Sequence, residues 1–196
     1  MNQPGVFAIS LDFELHWGCF ENMRVLDATA QQYFTNTRKT IPEMLRLFEL
    51  YETHVTWATV GMLFRNNKAE WEQNKPSVIP TFQNEHVSAY EWIAQNGFSS
   101  DDDPYHFAPQ LIDKIRSTPH QEIGTHTYAH YFCLEPGQTK DQFREDMRMA
   151  CHVAKAKGIS IQSLVFPRNQ FNEDYLSVCD EMGITSVRSS PDIWYW

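Results

Sequence analysis

The sequence predicts an α/β fold built on a parallel sheet or barrel. Short apolar runs rich in β-branched residues alternate with stretches of helical periodicity along the chain. Capping boxes at Thr40-Ile41-Pro42-Glu43 and Thr139-Lys140-Asp141-Gln142 open two of those helical stretches. No internal repeat and no linker breaks the pattern, so one domain spanning residues 1–196 is expected.

Taken in order, Val6-Phe7-Ala8-Ile9 has the composition of a buried first strand. Residues 27–37 form a weak helical pattern. A clearer helix starts with Thr40 as N-cap and carries Ile41, Met44, Leu45, Phe48 and Tyr51 at helical spacing. His54 to Gly61 reads as the second strand, and residues 62–73 as a short helix. Residues from about 74 to 107 are irregular apart from a short helix around Ser88 to Gln95. That length suits an insertion over the site or a mobile lid. Asp101 to Asp103 read as a solvated turn before Pro104.

A helix is expected over 109–117, and Gln121 to Thr125 is a short third strand. The helix opened by Thr139 places Phe143, Met147, Ala150, Cys151 and Ala154 on one face and ends before Gly158. Ser163 to Phe166 is the fourth strand, residues 172–182 a helix closed by Gly183, and Ile184 to Val187 begin a fifth strand. The sequence stops at Trp196 with no closing helix, and a seven- or eight-stranded barrel generally needs more residues. A barrel incomplete at its C-terminus, the first part of a longer protein, is the expectation.

Composition narrows the function classes. With 42% hydrophobic residues in 196, the chain can bury a sizeable core. Sixteen basic against 25 acidic residues give a net charge of −9, which argues against a nucleic-acid partner. No apolar run approaches the ~20 residues of a membrane span. The first residues show no secretory leader, so a cytoplasmic location is expected. Cys19, Cys133, Cys151 and Cys179 are widely spaced and read as free thiols. Trp17, Trp92 and the tail Trp194-Tyr195-Trp196 read as core residues first, with a sugar-lining role as the alternative.

The chemistry concentrates in two places. Asp12, Glu14 and His16 directly follow the first apolar run, and persisting strand geometry would turn all three to one side. Acids at the carboxyl end of a parallel strand suit the floor of an active site. His126 and His130, four apart, follow the third strand, and a helical turn would put both imidazoles on one face. Two histidines and one carboxylate form an open divalent-metal site, with zinc as the expected ion and coordination positions left for water and substrate. Of Asp12 and Glu14, one would be the ligand and the other a general base.

These residues resemble the polysaccharide deacetylase family. Ser10-Leu11-Asp12-Phe13-Glu14 is similar to its first motif and Thr56-Trp57-Ala58-Thr59-Val60-Gly61 to its second strand, while His126-Thr127-Tyr128-Ala129-His130 matches its His-[Ser/Thr]-x-x-His motif in full. The resemblance covers residues 6 to about 170. It implies a distorted (β/α) barrel and metal-dependent removal of N- or O-acetyl groups from a carbohydrate substrate. It also implies Glu14, His126 and His130 as metal ligands and Asp12 as base, with the swap of Asp12 and Glu14 still open. The family's Arg-x-Pro-x-Gly motif is absent as such. Phe166-Pro167-Arg168-Asn169-Gln170 stands in its place, and Arg168 is expected to pair with Asp12. No late histidine acid is identifiable, and His16 is the only stand-in. A non-sugar amide or ureide hydrolase, or a non-catalytic carbohydrate-binding relative, are the alternatives.

Overall fold

A computed structural model describes Gly5 and residues 7–189. Val6 and the tail Trp194-Tyr195-Trp196 lie outside the described residues. Five parallel strands run in sequence order: β1 (Ser10–Phe13), β2 (Val55–Thr59), β3 (Gln121–Thr125), β4 (Ser163–Val165) and β5 (Ser186–Arg188). They form a curled half-barrel with helices. Flat, a five-stranded sheet would hold its outer strands roughly 19 Å apart, four spacings of about 4.8 Å. Arg188 of β5 nevertheless reaches Ser10 and Asp12 of β1. Only a curled sheet brings those strands within one side chain of each other.

The first strand is displaced from its expected place. Pairing begins at Ser10 opposite Thr56, and β2 itself starts at Val55. Phe7 and Ala8 run past the start of β2 without a partner, and Phe7 is 88% exposed. The two helical patterns before β2 are one helix, α1 (Ala28–Leu50), with Pro42 inside it. Its N-cap is Asp27, which accepts the Ala30 N–H at 2.9 Å. Thr40 is no cap: its hydroxyl donates to the Asn36 carbonyl one turn back. Phe34, Ile41 and Leu45 form one buried stripe along α1, and that packing overrides the local stop signal.

The remaining helices are α2 (Lys68–Gln73), α3 (Ala89–Asn96), α4 (Pro109–Ser117), α5 (Lys140–Ala156) and α6 (Leu176–Glu181). Both bonds of the Thr139 capping box form. Thr125 opposite Leu164 is the single β3–β4 register pair, so the sheet is thinnest there. The irregular stretch before α4 is packed rather than loose, with Phe82, Trp92 and Phe107 in the core. Asp101 and Asp102 are exposed as expected, but Asp103 is fully buried. Its carboxylate accepts the N–H of Ser99 and of Tyr105 and the Ser99 hydroxyl, satisfying the turn from inside. Trp17 and Trp92 are both buried. The four cysteines are free thiols, and no helix among the described residues is long and apolar enough to cross a membrane.

Candidate metal centre

β1 ends at Phe13, and Glu14 caps a tight turn, Leu15–Gly18. Strand alternation stops there because Leu15 takes a left-handed backbone, φ 46°. Asp12 and Glu14 therefore share a cleft, while His16 swings into the core and is fully buried. Burial and the neighbouring His106 pull the His16 imidazole down to about 4. With no access to the cleft, His16 does not stand in for an acid there. Gly18 leaves room for the Glu14 carboxylate, which a Cβ there would displace.

His126 and His130 lie on the loop after β3, and no helical turn forms between them. Thr127 (φ 63°) and His130 (φ 53°) adopt left-handed conformations instead, a strained choice for a β-branched residue. The loop is held from beneath by α5. Asp146 accepts the Tyr128 N–H at 2.6 Å and the Ala129 N–H at 3.1 Å, and the Thr127 hydroxyl accepts the Tyr131 N–H at 2.7 Å. Burial pushes the Asp146 carboxyl up to about 7, against the pull of those two donors. Gly61 lets the loop close on β2: a Cβ there would lie 2.6 Å from the Tyr128 ring.

The result is a convergence of three ligand-type atoms. Glu14 Oε2 lies 3.2 Å from His126 Nε2 and 3.3 Å from His130 Nε2. The three atoms all fall within 4.8 Å of one another. His126 Nδ1 donates to the Val165 carbonyl at 2.8 Å, because a carbonyl only accepts. A neutral His126 then turns a lone pair, not a proton, toward Glu14. Burial lowers His130 and favours its neutral form, though Glu14 pulls the other way. Burial alone would raise Glu14, but the two imidazoles outweigh it and hold the carboxyl well below its ordinary range. His130 Nδ1 has no hydrogen-bond partner among the described residues, so nothing fixes its tautomer as Val165 fixes that of His126, and a carboxylate facing two ring nitrogens is a donor set that suits a divalent cation. The spacings fit one: ligand atoms about 2.0–2.2 Å from a tetrahedral divalent ion lie roughly 3.3–3.6 Å apart.

Asp12 stands beside these groups in a cleft of about 200 Å³, lined also by Gly18, Arg168 and Asn169. Its expected partner is corrected. Asp12 accepts Arg188 Nη2 on both oxygens, at 2.7 and 2.8 Å, and Arg188 Nη1 donates to the Ser10 hydroxyl at 2.7 Å. Arg168 pairs with Glu21 instead. The physical reason is local. Arg168 and Asn169 both have left-handed backbones in the turn after β4 (φ 55° and 52°), which aims the guanidinium at the loop after Gly18. Sequence reading missed Arg188, which closes the fifth strand, Ser186–Arg188, and was given no role. It also missed Asp146, whose signal was present: an acid three residues after Phe143 and four before Ala150, on the apolar face of α5.

Comparisons with known proteins bear on the fold and the family. No curated protein matches the chain at a significant level. A solved structure of a candidate polysaccharide deacetylase from Mycobacterium smegmatis is similar at a TM-score of 0.53 and 14% identity, over 92% of this chain and 49% of that one. A mutant CE4 family pseudoenzyme of Bacillus anthracis with restored enzymatic activity is similar at 0.51 and 12% identity, over 92% and 43%. At such identities the likeness is one of fold, and the chain spans less than half the length of either structure. The sequence model of the polysaccharide deacetylase family matches residues 31–187, beginning after the β1 carboxylates. With most of its length matched in this way, the chain belongs to the polysaccharide deacetylase family.

Proposed function

We propose that this chain is a metal-dependent hydrolase that removes an N-acetyl or O-acetyl group from a sugar or glycan precursor. The observation that carries the reading is the meeting of Glu14, His126 and His130 beside an arginine-held Asp12. A divalent ion held by those three residues, zinc first, would supply a Lewis acid for the acetyl carbonyl and a more acidic water.

The chain's own residues supply the rest. The Val165 carbonyl fixes the His126 tautomer, so Nε2 is left free to ligate. Asp12 takes the proton of the attacking water, and Arg188 fixes the carboxylate by bonding both of its oxygens. The water oxygen bonds the acetyl carbon while the carbon–nitrogen or carbon–oxygen bond to the sugar breaks. The proton leaves with the amine or alcohol. Arg168 and Asn169 line the same cleft and meet the sugar.

The test joins metal analysis to acetate release from acetylated amino sugars. The wild-type chain should take up one equivalent of zinc, and His126→Ala should take up far less. Asp12→Asn should bind zinc normally and release acetate at least 100-fold more slowly, the scale of a lost general base. A wild-type chain that takes up no stoichiometric ion would overturn the reading. Full activity in Asp12→Asn would overturn the role given to Asp12.

A further inference from the structure

A second cluster of titratable side chains, Asp103, His106 and His16, lies outside the cleft, and each is fully buried. They stand in line. Asp103 Oδ1 is 3.0 Å from His106 Nδ1, close in distance although off the N–H axis. His106 Nε2 is 2.7 Å from His16 Nδ1, and His16 Nε2 is 2.8 Å from the Met23 carbonyl oxygen.

The partners fix the protons. The Met23 carbonyl can only accept, so His16 carries its proton on Nε2 and offers a lone pair on Nδ1. His106 fills that lone pair with its Nε2–H. A bare Nδ1 on His106 would then set a second lone pair against the Asp103 carboxylate. His106 Nδ1 is thus the ring atom turned to the Asp103 carboxylate, 3.0 Å away.

Three desolvated polar groups are a costly way to fill a core that apolar side chains would fill better. Their placement explains them. The line ends on the turn that carries Glu14, and the same segment grips that turn twice more. The His16 N–H donates to the Tyr105 carbonyl at 3.3 Å, and Trp17 Nε1 donates to the His106 carbonyl at 2.9 Å. The Trp17 N–H in turn donates to the carbonyl of Glu14 itself at 3.1 Å. Leu15, between Glu14 and His16, is held in a left-handed backbone that few residues adopt unforced.

We propose that Asp103, His106 and His16 are positioning residues that aim the Glu14 carboxylate at His126 and His130. The proposal rests on the cleft being a metal centre. The segment before α4 is then a buttress behind the ligand turn.

Metal titration of the full chain tests this, with Zn²⁺ for affinity and Co²⁺ for the visible spectrum of the bound ion. His106→Ala should weaken Zn²⁺ binding about tenfold or more and change the Co²⁺ spectrum, as loss of an outer support does elsewhere. His106→Gln keeps one donor toward His16 and should recover part of the affinity. Ile112→Val, a core change away from the relay, should lower stability and leave the Co²⁺ spectrum unchanged. If His106→Ala does not fold, Asp103→Asn and His106→Gln carry the comparison. Unchanged Zn²⁺ affinity and Co²⁺ spectrum in folded relay variants would overturn the proposal while the metal centre stands. A wild-type chain that binds neither ion would overturn the metal centre itself.

Discussion

Single atoms decide the cleft. The Glu14 carboxylate folds back over Gly18, which has no side chain to obstruct it. Gly18→Ala should drive that carboxylate away from the two imidazoles. Zinc affinity should fall at least tenfold in calorimetric titration while the far-ultraviolet circular dichroism stays unchanged. Arg188 bears on Asp12 and leaves the three ligands untouched. Arg188→Gln should keep zinc affinity and slow acetate release roughly 10- to 100-fold. That is the scale of losing charge-assisted hydrogen bonds worth about 1.5–3 kcal/mol. Arg168→Gln should instead act on substrate affinity, because Arg168 bonds Glu21 and not Asp12.

Elements act by carrying supports to the loops. α5 brings Asp146 beneath the histidine loop, where one carboxylate satisfies two backbone N–H groups. Asp146→Leu would leave both donors buried without partners, and a loss of about 2–4 kcal/mol in urea unfolding is expected, with loss of zinc uptake. The segment before α4 carries the other support. Burial alone would raise Asp103, but His106 and Ser99 outweigh it and hold the carboxyl well below its ordinary range. A carboxyl lowered in the folded state binds fewer protons there than in the unfolded chain. Its contribution is present above about pH 4 and is lost as pH falls through the folded value. The wild-type urea midpoint should therefore drop between pH 5 and pH 3 more steeply than that of Asp103→Asn. The variant should be weaker at pH 7 and flatter below it.

At the scale of the whole molecule, the half-barrel is uneven. β1, β2 and β3 are joined by full ladders, while one register pair links β3 to β4. Amide hydrogen exchange should show β4 and β5 opening ahead of β2 and β3, with rates that rise together. Protection in β4 equal to that in β2 would contradict this. The curl also brings the ends of β1 and β5 close enough for Arg188 to hold Asp12.

Much of this was legible in the residues. The alternation of strand and helix, the Thr139 cap, the bounds of β3 and α4, and the pairing of His126-x-x-x-His130 with a carboxylate after the first strand are local patterns. Their physics acts within a few positions of the chain. Other features were not legible because distant parts of the chain decide them. Thr40 sits inside α1 because a buried stripe outvoted a local cap signal. Arg188 holds Asp12 in place of Arg168 because the sheet curls and the turn after β4 points elsewhere. His16 is a core residue because it meets a polar partner, His106, far along the sequence. By itself the sequence determined the fold class and the three residues that converge. The tertiary structure alone decided which acid faces the imidazoles and which arginine holds Asp12, since a side chain's aim depends on partners that only folding brings within reach.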